Sequence, residues 1–466
     1  MAMAVQNKKS FWLYIAVSLV ILILVNILAR NWFFRWDLTD NKMYSLSESS
    51  KAVIRKVDDL LTMKCFFTKN LPGEYANNRR YLQDILEEYA AYSNGNIRFE
   101  FYEPASEEKL AEEAQKASIM PVQLQVIEND KMEIKRVYMG MQLLYEDRKE
   151  VIPLIQSTTG LEYEITTKIK RLVESEKRTV AFATFEGQKV KNQTLTDALG
   201  EAYQIRRLSL NRPIPEDISC ILVNGVKDSV PEENLKNLQD YLNRGGNLLI
   251  AQNRVSTDLQ TQRATPIQSN IFSFLENNGV SLNENLVLDK LSGQVTITQN
   301  RGFFRINSAI DYPFFPLIRS FGDHPIVKGL EEIQILFPSE VVSAVKDSAD
   351  QFLPLLMTSD HSGVMTGRYN LSPLNNPTLQ LLNQPGKTVA ALVTMNHPET
   401  GLASQIILVG DSRFFDDSGS GGIQENAVFI HNAVDYLMGD SELVALRSRE
   451  ITTRPLEELS DEAKAR

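Results

Sequence analysis

Hydrophobic and polar positions follow three regimes along this chain. The first is a run of nineteen uncharged residues, Phe11–Ala29 (FWLYIAVSLVILILVNILA). A bilayer core takes about 20 apolar residues at 1.5 Å each, so the run predicts a transmembrane helix over 11–29. Asn31-Trp32-Phe33-Phe34-Arg35-Trp36 follows it, with aromatic rings of the kind that settle at a membrane interface. Phe11, Trp12, Leu19, Ile23, Trp32 and Trp36 are the residues expected to form this anchor. A cleaved signal peptide has a shorter apolar core, about 7–15 residues, and a small-residue cleavage site. Ile27-Leu28-Ala29-Arg30 does not supply that site, so the segment reads as an uncleaved anchor. Residues 1–10, with Lys8 and Lys9, form the expected cytoplasmic tail, and 30–50 a short polar stalk.

The second regime, 51–175, alternates short strands with amphipathic helices. Leu61–Thr68 reads as a strand. Asn77–Tyr92 reads as a helix with Tyr81, Leu82, Ile85, Leu86 and Tyr89 on one face. Ile97–Tyr102 alternates as a strand, and Ser106 is placed to cap a second helix. Strands follow at Val122–Ile127, Tyr138–Tyr145 and Lys149–Leu154. Thr159-Gly160-Leu161-Glu162 has the form of a capping box opening a third helix. The order β-α-β-α-β-β-α, with Pro121 before the third strand, resembles a thioredoxin-like fold. The redox form of that fold needs Cys-x-x-Cys after its first strand. Thr68-Lys69-Asn70-Leu71-Pro72 stands there instead, so the redox motif is absent.

The third regime, 178–440, has strands apolar on both faces: Thr179–Thr184, Ile218–Val223, Leu248–Ala251, Val389–Met395 and Gln405–Val409. Helices alternate with them, at Asn192–Ala202, after Pro231, and at Ala427–Met438. This pattern predicts a largely parallel sheet covered on both sides. An insert rich in short strand-like pieces and proline interrupts it at about 283–385, and 441–466 reads as a charged C-terminal tail. Phe303, Phe304, Tyr312, Phe314 and Phe315 lie in the insert and are candidates for a partner surface, or for a small core of its own.

Composition narrows the function. The 466 residues are 43% hydrophobic and 23% charged, with formal net charge −10. An acidic chain without a basic stripe argues against nucleic acid as a partner. Cys65 and Cys220 sit in separate predicted strands and read as two buried thiols, with a single bridge between them as the alternative. The four histidines are too scattered for metal-ligand spacing, and neither metal nor cofactor is expected.

Candidate chemistry is sparse. Pro385-Gly386-Lys387-Thr388 contains the end of a nucleotide-binding loop, but position 381 is Leu and the motif precedes a strand. Gly410-Asp411-Ser412-Arg413-Phe414 follows a strand as a nucleophile elbow would, with His431 on the next helix. The elbow wants a second Gly where Phe414 stands, so a backbone-binding turn is the expectation and a serine hydrolase using Ser412 and His431 the alternative. Open α/β sheets bind ligands outside the carboxyl ends of their strands. Glu186, Gly187, Asn224, Gly225, Asp411 and Ser412 occupy such ends and form the candidate ligand crevice.

Several stretches carry a resemblance: Asp37-Leu38-Thr39, Tyr44-Ser45-Leu46-Ser47, Tyr241-Leu242-Asn243-Arg244-Gly245-Gly246-Asn247, His324-Pro325-Ile326, Val409–Phe414 and Asn432–Asp440. In this order they resemble the gliding-motility-associated ABC transporter auxiliary protein family, GldG and its relatives, the ABC-type transport system auxiliary components. The resemblance covers most of the chain. It implies a non-catalytic membrane subunit beside an ABC permease and a separate cytoplasmic ATPase. It also implies a bacterial inner (cytoplasmic) membrane location, with a single N-terminal span and the bulk in the periplasm. The second domain would be glutamine-amidotransferase-like without the active-site cysteine, since Cys220 lies within a strand. Many relatives carry a second span near the C-terminus, which this sequence does not show. A ligand-binding receptor is the other expectation that the strand-end residues support.

Overall fold

The computed structural model describes residues 12, 15–21, 45–71, 75–128, 131–174, 177–185, 191–301, 304–374, 376–380, 382–417, 419, 423–440, 443–444 and 446. Among the described residues no helix is long and apolar enough to cross a membrane. Of the expected anchor, Trp12 and 15–21 are helical and Trp12 and Leu19 are exposed, while Phe11, Ile23, Trp32 and Trp36 lie outside the described residues. The chain is mixed α/β and forms two compact units, Met1–Glu162 and Tyr163–Arg466.

The first unit opens with α1 (Glu48–Ile54), whose N-cap Ser47 accepts the Ser50 amide at 3.1 Å. Then come β1 (Leu61–Phe67), α2 (Ala76–Tyr92), β2 (Ile97–Tyr102), α3 (Glu108–Lys116), β3 (Val122–Glu128), β4 (Lys131–Val137), β5 (Met139–Tyr145) and β6 (Arg148–Ile152). The main sheet has the order β2-β1-β5-β6, with β1 parallel to β2 and antiparallel to β5. Leu61, Met63 and Cys65 alternate into its core, and Leu82, Ile85, Leu86 and Tyr89 bury the expected face of α2.

Three local expectations are corrected. The strand at Val122 does not join the main sheet, because β3 pairs antiparallel with β4 as a separate hairpin. Ser106 does not cap α3, because its hydroxyl donates to the Glu103 carbonyl at 2.7 Å and Glu107 holds the cap position. Glu162 is buried and accepts from the Ser47 amide at 2.8 Å and the Ser50 hydroxyl at 2.6 Å, while the Thr159 amide donates to Ser157. Its carboxylate therefore braces α1.

The division between units falls in the first turn of α4 (Leu161–Val173), ahead of the 175–178 boundary expected from the sequence. Lys170 on α4 pairs with Asp440, and Arg178 pairs with Asp440 and donates to the Met438 carbonyl, so this helix is tied within the second unit. The unit continues with β7 (Thr179–Thr184), α5 (Gln193–Ala202), β8 (Gln204–Ser209), β9 (Ile218–Asn224), α6 (Glu232–Asn243), β10 (Asn247–Ala251), β11 (Val255–Asp258), β12 (Arg263–Pro266) and α7 (Ile271–Asn277). β13 (Val280–Leu282) leads into the insert, which supplies β14 (Leu286–Asp289), β15 (Ser292–Arg301), β16 (Phe304–Ile318), β17 (Ser320–Phe321), β18 (Ile333–Gln334), β19 (Val341–Ser343), β20 (Gln351–Met357) and β21 (Ser362–Met365). Last come β22 (Thr388–His397), β23 (Leu402–Val409) and α8 (Gln424–Leu437).

An eight-stranded sheet runs β17-β20-β22-β23-β10-β9-β7-β8. From β23 to β8 all pairings are parallel, and β22, β20 and β17 add an antiparallel wing. Alternate residues of each strand feed two cores. Phe182, Leu222, Leu249 and Ile407 pack with Leu199 of α5 and Phe429 of α8. Ala181, Ile221, Ile250 and Leu408 pack with Leu238 of α6 and Leu275 of α7. The insert does not merely interrupt this sheet, since β17 and β20 are two of its strands. Pro354 hid β20 in the sequence, and it sits where the pairing with β22 shifts register, a place where a strand tolerates proline.

Candidate functional site

At the carboxyl ends of the parallel strands lies a cleft of about 980 Å³. Each wall starts from a strand end. β9 stops at Asn224, and Gly225 turns the chain with φ +52°, a conformation that favours glycine. The loop from Val226 to Pro231 then leads into α6. β10 stops at Ala251 and is followed by Gln252 and Asn253, both buried. Gln252 brackets the loop: its Oε1 accepts the Val226 amide at 2.7 Å and its Nε2 donates to the Val226 carbonyl at 2.9 Å. Asn270 makes the same pair of bonds to Val230, at 2.8 and 2.7 Å.

The third wall begins where β23 ends. Gly410 has no room for a Cβ, which would stand 2.2 Å from the Ser339 carbonyl oxygen. Asp411 is buried, and its carboxylate accepts the Arg413 amide at 2.8 Å and the Leu336 amide at 3.0 Å. Arg413 reaches across to the Thr257 hydroxyl at 2.8 Å and lies 5.1 Å over the Phe337 ring.

Of the six crevice candidates, Asn224, Gly225 and Ser412 line this one cleft. Asp411 is not in its lining, because its carboxylate is turned onto backbone amides. Glu186 and Gly187 lie outside the described residues. His431 sits within α8 and is not among the described residues that line the cleft, so the cleft does not bring it to Ser412. Asn253, Thr257 and Lys227 also line it and were missed. The rule that selected Asn224 would have found Asn253, which stands just past another parallel strand. Among the described residues no group of His, Cys, Asp and Glu could hold a metal ion. Cys65 and Cys220 are free and buried, and burial pushes both thiols up, away from reactive thiolate.

The aromatic candidates are corrected by burial. Tyr312 and Phe314 are 1% and 0% exposed, so they form the insert's own core rather than a surface. Tyr312 stands 5.1 Å from Phe314 and 4.9 Å from Phe315, and its hydroxyl donates to the Leu371 carbonyl at 2.6 Å. The physical reason is alternation around Pro313 on β16, which turns these rings onto Leu286 and Leu288 of β14. Phe303 and the Phe304 side chain lie outside the described residues.

Comparison with known proteins gives the following. Residues 40–143 match a domain of unknown function. An uncharacterized protein of Borreliella burgdorferi is 22% identical over 470 residues, covering 96% of this chain and 91% of the relative. Among solved structures, the mmIFT52 N-terminal domain aligns at TM-score 0.37 and 14% identity, over 56% of this chain and 97% of that one. A ThuA-like protein from Bacteroides uniformis aligns at TM-score 0.33 and 12% identity, over 57% and 93%. Residues 175–438, more than half of the chain, match the family of the ABC-type uncharacterized transport system, and the chain belongs to that family of ABC transport auxiliary proteins.

Proposed function

We propose that this chain is a non-catalytic auxiliary subunit, anchored by Phe11–Ala29 in the inner membrane, that works outside the cytoplasm beside an ABC permease and a cytoplasmic ATPase. The family match over 175–438 carries this reading. The uncharged length of 11–29 supports the anchor. The ordered resemblance to GldG supports a task in gliding motility or surface secretion. In the first unit, the order β2-β1-β5-β6, with a parallel pair followed by two antiparallel pairings, supports a thioredoxin-like fold. In the second, the five parallel strands flanked by helices on both faces support an amidotransferase-like fold. Such a subunit couples and recognises, and it leaves hydrolysis of nucleotide to its partner.

The test is a gentle-detergent pull-down of the tagged full-length chain with mass spectrometry of what accompanies it. A permease and an ATPase at comparable abundance are expected. A monodisperse chain with neither partner would overturn the proposal.

The cleft at the strand ends favours a second reading alongside the first, that the subunit receives a soluble ligand. Asn224 and Gly225 at the end of β9 and Ser412 beyond the end of β23 meet in it.

A further inference from the structure

We propose that the strand-end cleft binds a neutral polyhydroxylated ligand, a saccharide, on a wall made rigid before the ligand arrives. This rests on the reading that the cleft receives a ligand. Rigidity is the first observation. Five hydrogen bonds from side chains hold the backbone between Val226 and Val230: two from Gln252, two from Asn270, and one from the Ser269 hydroxyl to the Asp228 carbonyl at 2.8 Å. Surface loops are ordinarily the mobile parts of a fold. Here the brackets stand at both ends of the exposed stretch Lys227–Ser229. Prior ordering lowers the entropy lost on binding.

Chemistry is the second observation. Asn211, Asn224, Asn253, Ser209, Ser256 and Ser412 all line the cleft. Amides and hydroxyls each offer donors and acceptors, which matches a ligand whose every hydroxyl is both. Phe185 adds a half-buried aromatic wall on which the apolar face of a sugar ring can lie. The volume, about 980 Å³, is at the upper end of small-molecule sites and takes more than one ring.

Charge is the third. Helix N-termini attract anions, but the first turn of α6 already carries Glu232 and Glu233. Asp228, Glu233 and Asp416 line the cleft against Lys227 and Arg413, and Arg413 is engaged with Thr257 and Phe337. The balance disfavours phosphate and carboxylate ligands. A purely cationic ligand, which only donates hydrogen bonds, would leave the N–H and O–H donors of these amides and hydroxyls unmatched.

Calorimetric titration of the detergent-solubilised full chain tests this. The probes are linear tetrasaccharides of glucose, mannose, galactose and N-acetylglucosamine, with tetragalacturonate and inorganic phosphate as anionic counterparts. At least one neutral probe is expected to bind, and tetragalacturonate to bind at least about tenfold more weakly than that probe. Ser412→Trp, which fills the cleft, and Asn211→Arg, which crowds its exposed wall, should each weaken the neutral probe by about tenfold or more. Using two variants guards against one that fails to fold. No binding by any neutral probe, tighter binding of either anion, or unchanged affinity in both variants would overturn the proposal. Loss of the partners from the wild-type chain speaks against the auxiliary role, and loss of saccharide binding alone speaks against this site.

Discussion

Two turns leave the same end of the same sheet and come to opposite arrangements. After β9, Gly225 sends the chain outward, and Lys227, Asp228 and Ser229 are exposed on the cleft rim. The rim is held from behind by Gln252 and Asn270. After β23, Gly410 and Asp411 are buried. Asp411 holds Leu336, and the next residue, Phe337, is packed among Tyr312, Phe314 and Phe315. A polar residue at a strand end is thus left open on the cleft or taken up by the fold according to which unsatisfied backbone amides lie within its reach. At Asp411 two amides claim the carboxylate. At the open turn the bracketing amides come from other segments, so the residues of the turn itself stay available.

The largest test of that contrast is in the packing. Phe337 is 1% exposed, and its ring supports both Arg413 and the insert core. Phe337→Ala should cost about 3–5 kcal/mol, the range for a buried aromatic truncated to a methyl. Lys227→Ala on the open turn should stay within about 0.5 kcal/mol, as expected of an exposed side chain away from such features. Chemical denaturation followed on the second unit reads both. Similar costs for the two variants would break the distinction between a closed and an open turn.

A finer cut lies within one turn. Asp411→Ala leaves the Leu336 and Arg413 amides without their acceptor, which should cost about 1–3 kcal/mol. Ser412→Ala, one residue on and facing the cleft, should cost less than about 0.5 kcal/mol. If the Ser412 variant proved the more damaging, the assignment of structure to Asp411 and of exposure to Ser412 would be reversed.

Much of the sheet is legible because β7, β9, β10 and β23 are short apolar runs whose two faces both meet a core. The helix faces of α2 and α6 are legible through their 3.6-residue period. What the sequence hid is long-range. Asp411 finds Leu336 75 positions away, and Asn270 finds Val230 40 positions away, with no local pattern to announce either bond. β20 was hidden by Pro354, whose bulge is visible only once β22 lies beside it. The aromatic run of β16 was ambiguous between core and surface, since hydrophobicity alone does not say whether another strand will cover it. The strand-end rule found three cleft residues because it depends on local order along the chain. Applied to β10 as well, it would have found Asn253.

The smallest expected effect reads the closed side through pH. From His324 to Leu336 the insert is laid along α8 before it reaches Asp411. Asn432 donates to the Ile326 carbonyl at 2.9 Å, Glu425 accepts the Glu332 amide at 2.8 Å, and Asn426 bonds Gln334 in both directions. His324 begins this seam, 4.6 Å from the Tyr436 ring, with its Nδ1 accepting the Ile326 amide at 3.3 Å. Burial lowers its pKa below the ordinary 6.5, and the neighbouring Asp323 carboxylate opposes this more weakly. The folded state therefore favours the neutral ring, while the unfolded chain takes up a proton as pH falls through about 6.5. The unfolded state then binds more protons, so this contribution to stability is complete above 6.5 and is lost as pH falls towards the lower folded value. Urea unfolding at pH 7.5 and 5.5 should show the second unit weakening on acidification, and His324→Gln should reduce that difference by removing the titrating group. Equal pH dependence in both proteins would mean that the seam does not depend on a neutral His324. The closing of the Asp411 turn would then rest on Glu425, Asn426, Asn432 and the aromatic core.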